Sequence, residues 1–226
     1  MNVRTLGMVS AIAMSIAAPA LAQTAKAVAA TDLNIRSGPS PFFDVIGVIP
    51  GGTEVAIDGC LDTASWCKVA FDDLAGWSYS DYLAVGVEDV AVALSTRPDT
   101  VTVNTVTYED TVQTQSDQNT GAAAGATIGA LAAYALGGPI GGIIVGGILG
   151  AGAGVAVVEP SETTVTYISQ NPVETVYLEG EVVVGAGLPE VVTTYKLPQP
   201  ELRYVAVNGQ TVVIDAETNK IVRVIR

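Results

Sequence analysis

Apolar and polar residues alternate along the chain between residues 25 and 85, and clusters of glycine and proline interrupt the alternation. A period of two is typical of strands that bury one face, and the Gly/Pro clusters indicate turns between them. So many short strands in so short a segment favour a small barrel. The predicted strands are Asp32–Arg36, Val45–Ile49, Glu54–Ile57, Trp66–Phe71 and Gly76–Ser78.

A second alternating region lies in the C-terminal segment, residues 159–226, and contains the runs Tyr204–Asp215 and Ile221–Ile225. Asn208 and Gly209 divide the first run, and both residue types tolerate the positive φ of a two-residue hairpin turn. The turn Ala216–Lys220 then leads to a further strand. The pattern predicts a β-rich C-terminal domain built on a three-stranded meander.

Residues 86–119 are rich in threonine, valine, aspartate and glutamine. Val101–Val106 alternates like a strand, whereas the polar remainder is typical of a linker. We interpret residues 86–119 as a solvated tether.

Residues 120–158 contain no charged side chain, and small residues recur every fourth position through much of Gly121–Gly154. On a helix, steps of four lie on one face, where glycine lets another backbone approach closely. Gly137-Gly138-Pro139 interrupts the run, because glycine suits a helix C-terminus and proline a first turn. The segment is therefore predicted to form a helical hairpin with helices near 121–136 and 139–157, similar to the glycine-zipper hairpins of bacterial envelope proteins.

Three roles remain open for this hairpin: association with a membrane, self-association or intramolecular packing in water, and a disordered spacer. A hairpin would keep both acidic flanks on the same side of a membrane, whereas a single crossing would separate them. The predicted fold class is thus mainly β with a helical hairpin, and residues 121–154 are the candidate surface for membrane association or self-association.

Residues 1–22 have the pattern of a signal peptide. Arg4 precedes the apolar run Leu6–Ala18, and the small residues Ala20 and Ala22 fit a cleavage site after Ala22. The pattern predicts export to the periplasm or cell envelope, and an N-terminal transmembrane helix is the alternative.

The chain carries 10 basic and 23 acidic residues, no histidine, and a net charge of −13. Such an acidic chain repels phosphate backbones, so we expect no nucleic-acid partner. Without histidine the chain cannot form a Ser-His-Asp or Cys-His catalytic arrangement. It also lacks the commonest metal-binding side chain. The acidic residues show neither glycosidase nor calcium-site spacing. We therefore predict no catalytic residues, no metal and no cofactor, and a protein that is not an enzyme.

The two cysteines, Cys60 and Cys67, lie close together in a chain predicted to be exported, where oxidation is favoured. Redox-active pairs usually have two residues between the thiols, fewer than here. A structural disulfide is the favoured interpretation, and free thiols or a redox pair are the alternatives.

The segment 25–85 resembles the bacterial SH3 family. The resemblance is carried by Leu33–Ser40 (LNIRSGPS), Ile46-Gly47, Gly51–Thr53, Trp66–Val69, Gly76-Trp77 and Tyr82-Leu83. It implies an SH3-like small barrel in which the cysteines tie neighbouring strands across the turn Asp62–Ser65.

The bacterial SH3 resemblance also implies a groove for peptides, often cell-wall peptides. Aromatic side chains are favoured at binding sites, although several must form the core of so small a domain. The candidate binding residues are Asn34, Arg36, Trp77, Tyr79 and Tyr82.

The C-terminal segment resembles the family of domains of unknown function numbered 1236. The matching residues are Leu178–Ala186, Leu188-Pro189 and Tyr204–Val224, and the acidic turn Glu217–Lys220 departs from the family pattern. This family has no established activity, so it implies an envelope location and no mechanism.

Two functions follow from these features. The first is an exported, non-enzymatic envelope protein whose SH3-like module binds a peptide or peptidoglycan. The alternative is a structural or oligomerising envelope protein with no ligand.

Overall fold

A computed structural model of the chain describes residues 25–63, 65–88, 90–108 and 158–226. Over these residues the fold is mainly β, as the sequence predicts, with two sheets and one α-helix. The predicted signal peptide and the helical hairpin lie outside the described residues, apart from Val158. Across the described ranges, no helix has the length and apolar character needed to cross a membrane.

The N-terminal sheet has eight strands, all paired antiparallel, in the order β3-β2-β6-β5-β4-β1-β7-β8. All five strands predicted between residues 32 and 78 are confirmed, with small changes of boundary. The strands are β1 (Ala25–Ala29), β2 (Leu33–Arg36), β3 (Val45–Ile49), β4 (Glu54–Cys60), β5 (Trp66–Phe71), β6 (Leu74–Tyr79), β7 (Leu83–Val87) and β8 (Val90–Ala93).

Strand β1 was not predicted, yet it lies in the interior of the sheet and pairs with both β4 and β7. Three of its five residues are alanine, which is depleted in strands, so its sequence gives a weak strand signal. Burial supplies the stabilisation instead, because Ala27 and Ala29 are buried in the core.

The structure differs from the predicted linker in residues 86–108. Strand β8 extends the sheet, and a short 3-10 turn follows at Leu94–Thr96. Residues 101–108, here called the strap, then run back along β4 and form a parallel bridge between Cys60 and Thr105. Val101, Val103, Val106 and Tyr108 are half-buried while the residues between them are exposed. The described part of the expected tether therefore contains a strand of the sheet and a segment packed against it.

The C-terminal sheet contains the predicted meander β11-β12-β13, with the short strands β9 and β10 both paired to β11. Asn208 and Gly209 form the predicted hairpin turn with φ values of 52° and 77°. The elements are α1 (Glu162–Gln170), β9 (Thr175–Val176), β10 (Tyr195–Lys196), β11 (Leu202–Val207), β12 (Gln210–Asp215) and β13 (Ile221–Ile225).

Helix α1 was not predicted. Ser161 caps its N-terminus by accepting a hydrogen bond from the Thr164 N–H, which satisfies one of the free amides of the first turn. Ile168 anchors the helix against the meander next to Leu202 and Val213. The helix carries three threonines and two β-branched apolar residues, so its composition favours a strand.

The two sheets share one hydrophobic core. Leu33 and Ile35 of β2 belong to the same cluster of buried side chains as Val182, Val207 and Ile214 of the C-terminal segment. A contiguous buried cluster of this kind normally marks one domain. The two segments that the sequence treats as separate domains are therefore packed as one body.

Candidate ligand-binding cleft between the two sheets

Arg36, at the end of β2, is buried and holds the loop that follows it. Its Nη1 donates to the carbonyl oxygens of Pro41 at 3.1 Å and Phe43 at 2.7 Å. The Ser37 N–H donates to the Asp44 carbonyl at 3.0 Å and closes the base of the loop. The guanidinium therefore fixes where this loop lies.

Arg36 also reaches the C-terminal segment. Its Nε and Nη2 donate to the two carboxylate oxygens of Glu181, the latter at 2.7 Å, and Nη2 also donates to the Asn208 carbonyl at 3.3 Å. Glu181 has no exposed surface and Arg36 is only 1% exposed. Since a guanidinium has five N–H donors, all five are engaged.

Asn34 completes this network. Its side-chain amide donates to Glu181 at 3.1 Å and to Gln210 at 2.7 Å, and its side-chain oxygen accepts from Arg226 at 3.5 Å. Asn34 is fully buried. A buried carboxylate and guanidinium are tolerable here because their lone pairs and protons have partners.

Two of the predicted binding residues, Asn34 and Arg36, belong to this network. The sequence assigns Asn34 and Arg36 to ligand recognition, whereas the structure places them at the junction of the two sheets with polar groups already bonded. Both side chains are almost completely buried, although Arg36 contributes to the lining of a neighbouring cleft. Their ligand-binding role stays a prediction.

An open cleft of about 740 Å³ lies beside this network, between the loop after β2 and the end of the meander. Phe42 forms one wall and stacks on Tyr177 of the C-terminal segment, with ring centroids 4.4 Å apart. Arg226 lines the cleft as well and is exposed. The volume is within the range of small-molecule sites, about 300–1,000 Å³. The sequence reading missed Phe42 and Tyr177 as a pair, because they are 135 residues apart and meet only when the sheets dock.

The other three predicted binding residues lie elsewhere. Trp77 is 6% exposed and packs in an aromatic cluster with Trp66 and Leu61, against which Tyr79 and the strap's Val106 also pack. The strap thus covers part of the predicted aromatic surface.

Tyr79 and Tyr82 lie beside each other, with ring centroids 6.1 Å apart. Burial raises the pKa of both hydroxyls well above the ordinary value of 10.0, and the Asp81 carboxylate adds to the effect. Tyr82 is 1% exposed, so it is a core residue in this structure. The five predicted residues are therefore divided between the junction and the aromatic region of the N-terminal sheet.

The disulfide between Cys60 and Cys67 is confirmed, and no cysteine is free. The two residues face each other directly on β4 and β5, with Cα atoms 3.9 Å apart. This separation is shorter than the roughly 5.5 Å typical of disulfides. The Cys60 N–H and C=O point away from β5 toward the strap, so the pair belongs to the closely spaced, non-hydrogen-bonded type.

Comparison with known families supports both resemblances. Residues 31–84 match the family model of the bacterial SH3 domain, and residues 167–226 match that of a domain of unknown function, DUF1236. The chain therefore carries a bacterial SH3 domain followed by a DUF1236 domain.

One curated relative is similar to part of the chain. It is named "Putative N-acetylmuramoyl-L-alanine amidase YrvJ", from Bacillus subtilis (strain 168), and is 36% identical over 56 residues. These residues are 24% of this chain and 10% of the relative, so the chain matches a tenth of that protein's length. No solved structure shows a significant match to the chain.

Proposed function

We propose that this chain is an exported cell-envelope protein that binds a cell-wall peptide in the cleft between its two sheets and catalyses no reaction. The observation that carries the proposal is the cleft itself, where the stacked Phe42 and Tyr177 lie beside the exposed Arg226. The curated relative, by its name, acts on N-acetylmuramoyl-L-alanine. That name supports a ligand from the cell wall.

The chemistry of the cleft suits a short acidic peptide. The two aromatic rings offer flat apolar surface, and the Arg226 guanidinium can receive a carboxylate in a two-pronged arrangement. Arg226 makes one described hydrogen bond, to Asn34 at 3.5 Å, so little has to be broken when a ligand carboxylate arrives. Arg36 also lines the cleft and acts as a positioning residue, because it holds both the Phe42 loop and the Asn208 turn.

Binding to purified peptidoglycan and to soluble muropeptides tests this proposal. We expect Phe42→Ala, Tyr177→Ala and Arg226→Gln each to weaken binding by about tenfold or more, as truncation of central aromatic and arginine contacts usually does. Tyr195→Ala is the matched control, since Tyr195 is 40% exposed, close to the 37% of Phe42, and does not line the cleft. Absence of binding by the unaltered protein, or equal losses in the control, would refute the cleft as the ligand site.

The structural alternative is favoured by one observation, the complete engagement of Arg36 and Asn34 within the chain. A protein of this kind would bind neither peptidoglycan nor muropeptides and would sediment as an oligomer. Sedimentation in plain buffer and in detergent also tests the separate prediction that residues 121–154 drive self-association or membrane association. Fractionation of cells with a C-terminal tag tests export.

A further inference from the structure

The strap is attached to β4 by a short piece of parallel pairing. The Cys60 N–H donates to the Asn104 carbonyl at 2.8 Å, and the Val106 N–H donates to the Cys60 carbonyl at 2.9 Å. The Asn104 side chain adds a hydrogen bond to the Asp58 carbonyl at 3.3 Å. The backbone of Cys60 thus receives an extended segment in the way that a sheet edge receives an added strand.

The surface under the strap fits its side chains closely. A Cβ atom at Gly59 would lie 2.5 Å from Val106 Cγ1 and 2.8 Å from the Asn104 carbonyl oxygen, so only glycine leaves room for the strap. Two residues after Val106, the Tyr108 ring meets Trp77 edge-on at 5.7 Å and Phe43 at 5.6 Å. A valine and a tyrosine at alternate positions therefore occupy neighbouring sites.

The receiving surface is built by parts of the sheet other than the strap. The pairing of β4 with β5 shifts register between Ile57 and Gly59, and the disulfide to Cys67 ties Cys60 to β5. Trp66 and Trp77 stand on the next two strands, β5 and β6. These features would persist if the strap moved away, leaving an apolar surface next to two backbone hydrogen-bonding groups.

We propose that this surface, formed by Gly59, Cys60, Trp66 and Trp77, is an acceptor groove for an extended, uncharged protein segment, and that the strap occupies it in cis. The ligand class follows from the observed occupant, in which a valine and, two residues later, a tyrosine point inward. A partner with that pattern binds by displacing the strap. The proposal does not depend on ligand binding in the cleft between the sheets.

A peptide copying the strap, Val101–Tyr108 (VTVNTVTY), tests the groove in the full-length protein. In the variant Val106→Gly/Tyr108→Ala the cis occupant is weakened, so we expect the peptide to bind at least about tenfold more tightly than to the unaltered chain, where the tethered strap competes. The chain has two tryptophans, and both belong to this cluster. Their fluorescence should change as the peptide binds.

Adding Gly59→Ala to the strap-weakened variant should abolish peptide binding, because the new methyl group occupies the valine site. Gly86→Ala in the same background is the matched control, since nothing lies within 4 Å of a Cβ at Gly86. Peptide binding that survives Gly59→Ala, or no binding to the strap-weakened variant, would overturn the proposal.

A peptide methylated on the nitrogen corresponding to Val106 provides a test that needs no change at Gly59. It cannot donate the hydrogen bond to the Cys60 carbonyl, so it should bind at least about tenfold more weakly than the parent peptide to the strap-weakened variant. Equal affinities of the two peptides would show that the peptide does not pair with β4 and would also overturn the proposal.

Discussion

The carboxylate of Glu181 accepts two N–H groups of Arg36 across a sequence separation of 145 residues, at the point where the bacterial SH3 domain meets the DUF1236 domain. Both side chains are buried, and the hydrophobic core continues past them from one sheet to the other. The pair therefore couples the stabilities of the two sheets.

Removing one partner of this pair should destabilise the whole protein. We expect Glu181→Leu and Arg36→Met each to lower the free energy of unfolding by about 3–5 kcal/mol, because each leaves an uncompensated buried charge or its unsatisfied partners. The double variant should lose less than the sum of the two. Urea unfolding followed by circular dichroism measures these values.

The ion pair between Lys26 and Glu54 is the control for this cycle. Its side chains are 67% and 58% exposed, so Lys26→Met should change stability little. A Glu181→Leu variant as stable as Lys26→Met would contradict the coupling described here.

Asn208 combines a special backbone conformation with two buried hydrogen bonds. Its side chain accepts from the Leu178 N–H at 2.8 Å and donates to the Gly180 carbonyl at 3.1 Å. Asn208→Gly keeps the positive φ and loses these bonds, which should cost about 1–3 kcal/mol. Asn208→Ala should lose about 1 kcal/mol more, because alanine resists the left-handed conformation.

Thermal or urea unfolding of the two Asn208 variants measures this difference. Equal stabilities of the glycine and alanine variants would show that the backbone conformation at this turn carries no penalty. Unchanged stability of both would show that the side-chain bonds to Leu178 and Gly180 contribute nothing.

The buried tyrosine Tyr82 should make the protein sensitive to alkali. Burial raises the pKa of its hydroxyl above the ordinary 10.0, so the folded protein keeps a proton that the unfolded chain releases. The contribution of this hydroxyl to the free energy of unfolding is fully present below pH 10. It falls as the pH rises from the pKa of the unfolded chain toward that of the folded protein, by up to about 1.4 kcal/mol per pH unit.

Urea unfolding between pH 8 and about 11.5 tests this dependence. Tyr82→Phe should reduce the loss of stability above pH 10 without abolishing it, because burial also raises the pKa of Tyr79, whereas Tyr195→Phe, at an exposed position, should leave the loss unchanged. Identical pH profiles for the unaltered protein and Tyr82→Phe would contradict the assignment of the proton to this residue.

The disulfide closes a short loop and should contribute about 2–3 kcal/mol in the chain-entropy treatment. Reduction, or the double substitution Cys60→Ser/Cys67→Ser, should lower the free energy of unfolding by that amount. The double serine variant controls for the reductant, since it should be insensitive to it. No change on reduction would show that the opposed strands are held fully by their other contacts.

The sequence was most informative where the signal is local. The strands between residues 32 and 78 follow from alternation and turn residues, and the Asn208-Gly209 turn follows from its tolerance of positive φ. Strand β1 was missed because its interior position depends on the strands on either side, while its alanines carry little strand preference of their own.

The candidate site was less accessible to sequence reasoning, because its contacts are long-range. The alternation of Val101–Val106 is visible in the sequence. The sequence does not show, however, that the missing side chain of Gly59 makes room for Val106. Arg36 lies in the motif Leu33–Ser40, which is typical of the bacterial SH3 family. Its hydrogen-bond acceptor Glu181 is identified only by the contact between the two sheets. The alternation of apolar and polar residues indicates which face of a strand is buried and where the turns lie. It does not indicate which distant residues will contact that face, because tertiary packing determines those contacts.

Strand β1 has a practical consequence for anyone dissecting this protein. The bacterial SH3 match begins at residue 31, after β1 has ended, although β1 is the strand that bridges β4 and β7. A fragment trimmed to residues 31–84 would lose β1 and most of β7, so the edge of β4 that pairs with β1 would be exposed, and exposed edges of this kind invite aggregation. Assays on such a fragment would report on an incomplete sheet. A fragment used to study this domain should therefore begin before Ala25 and extend beyond Val87.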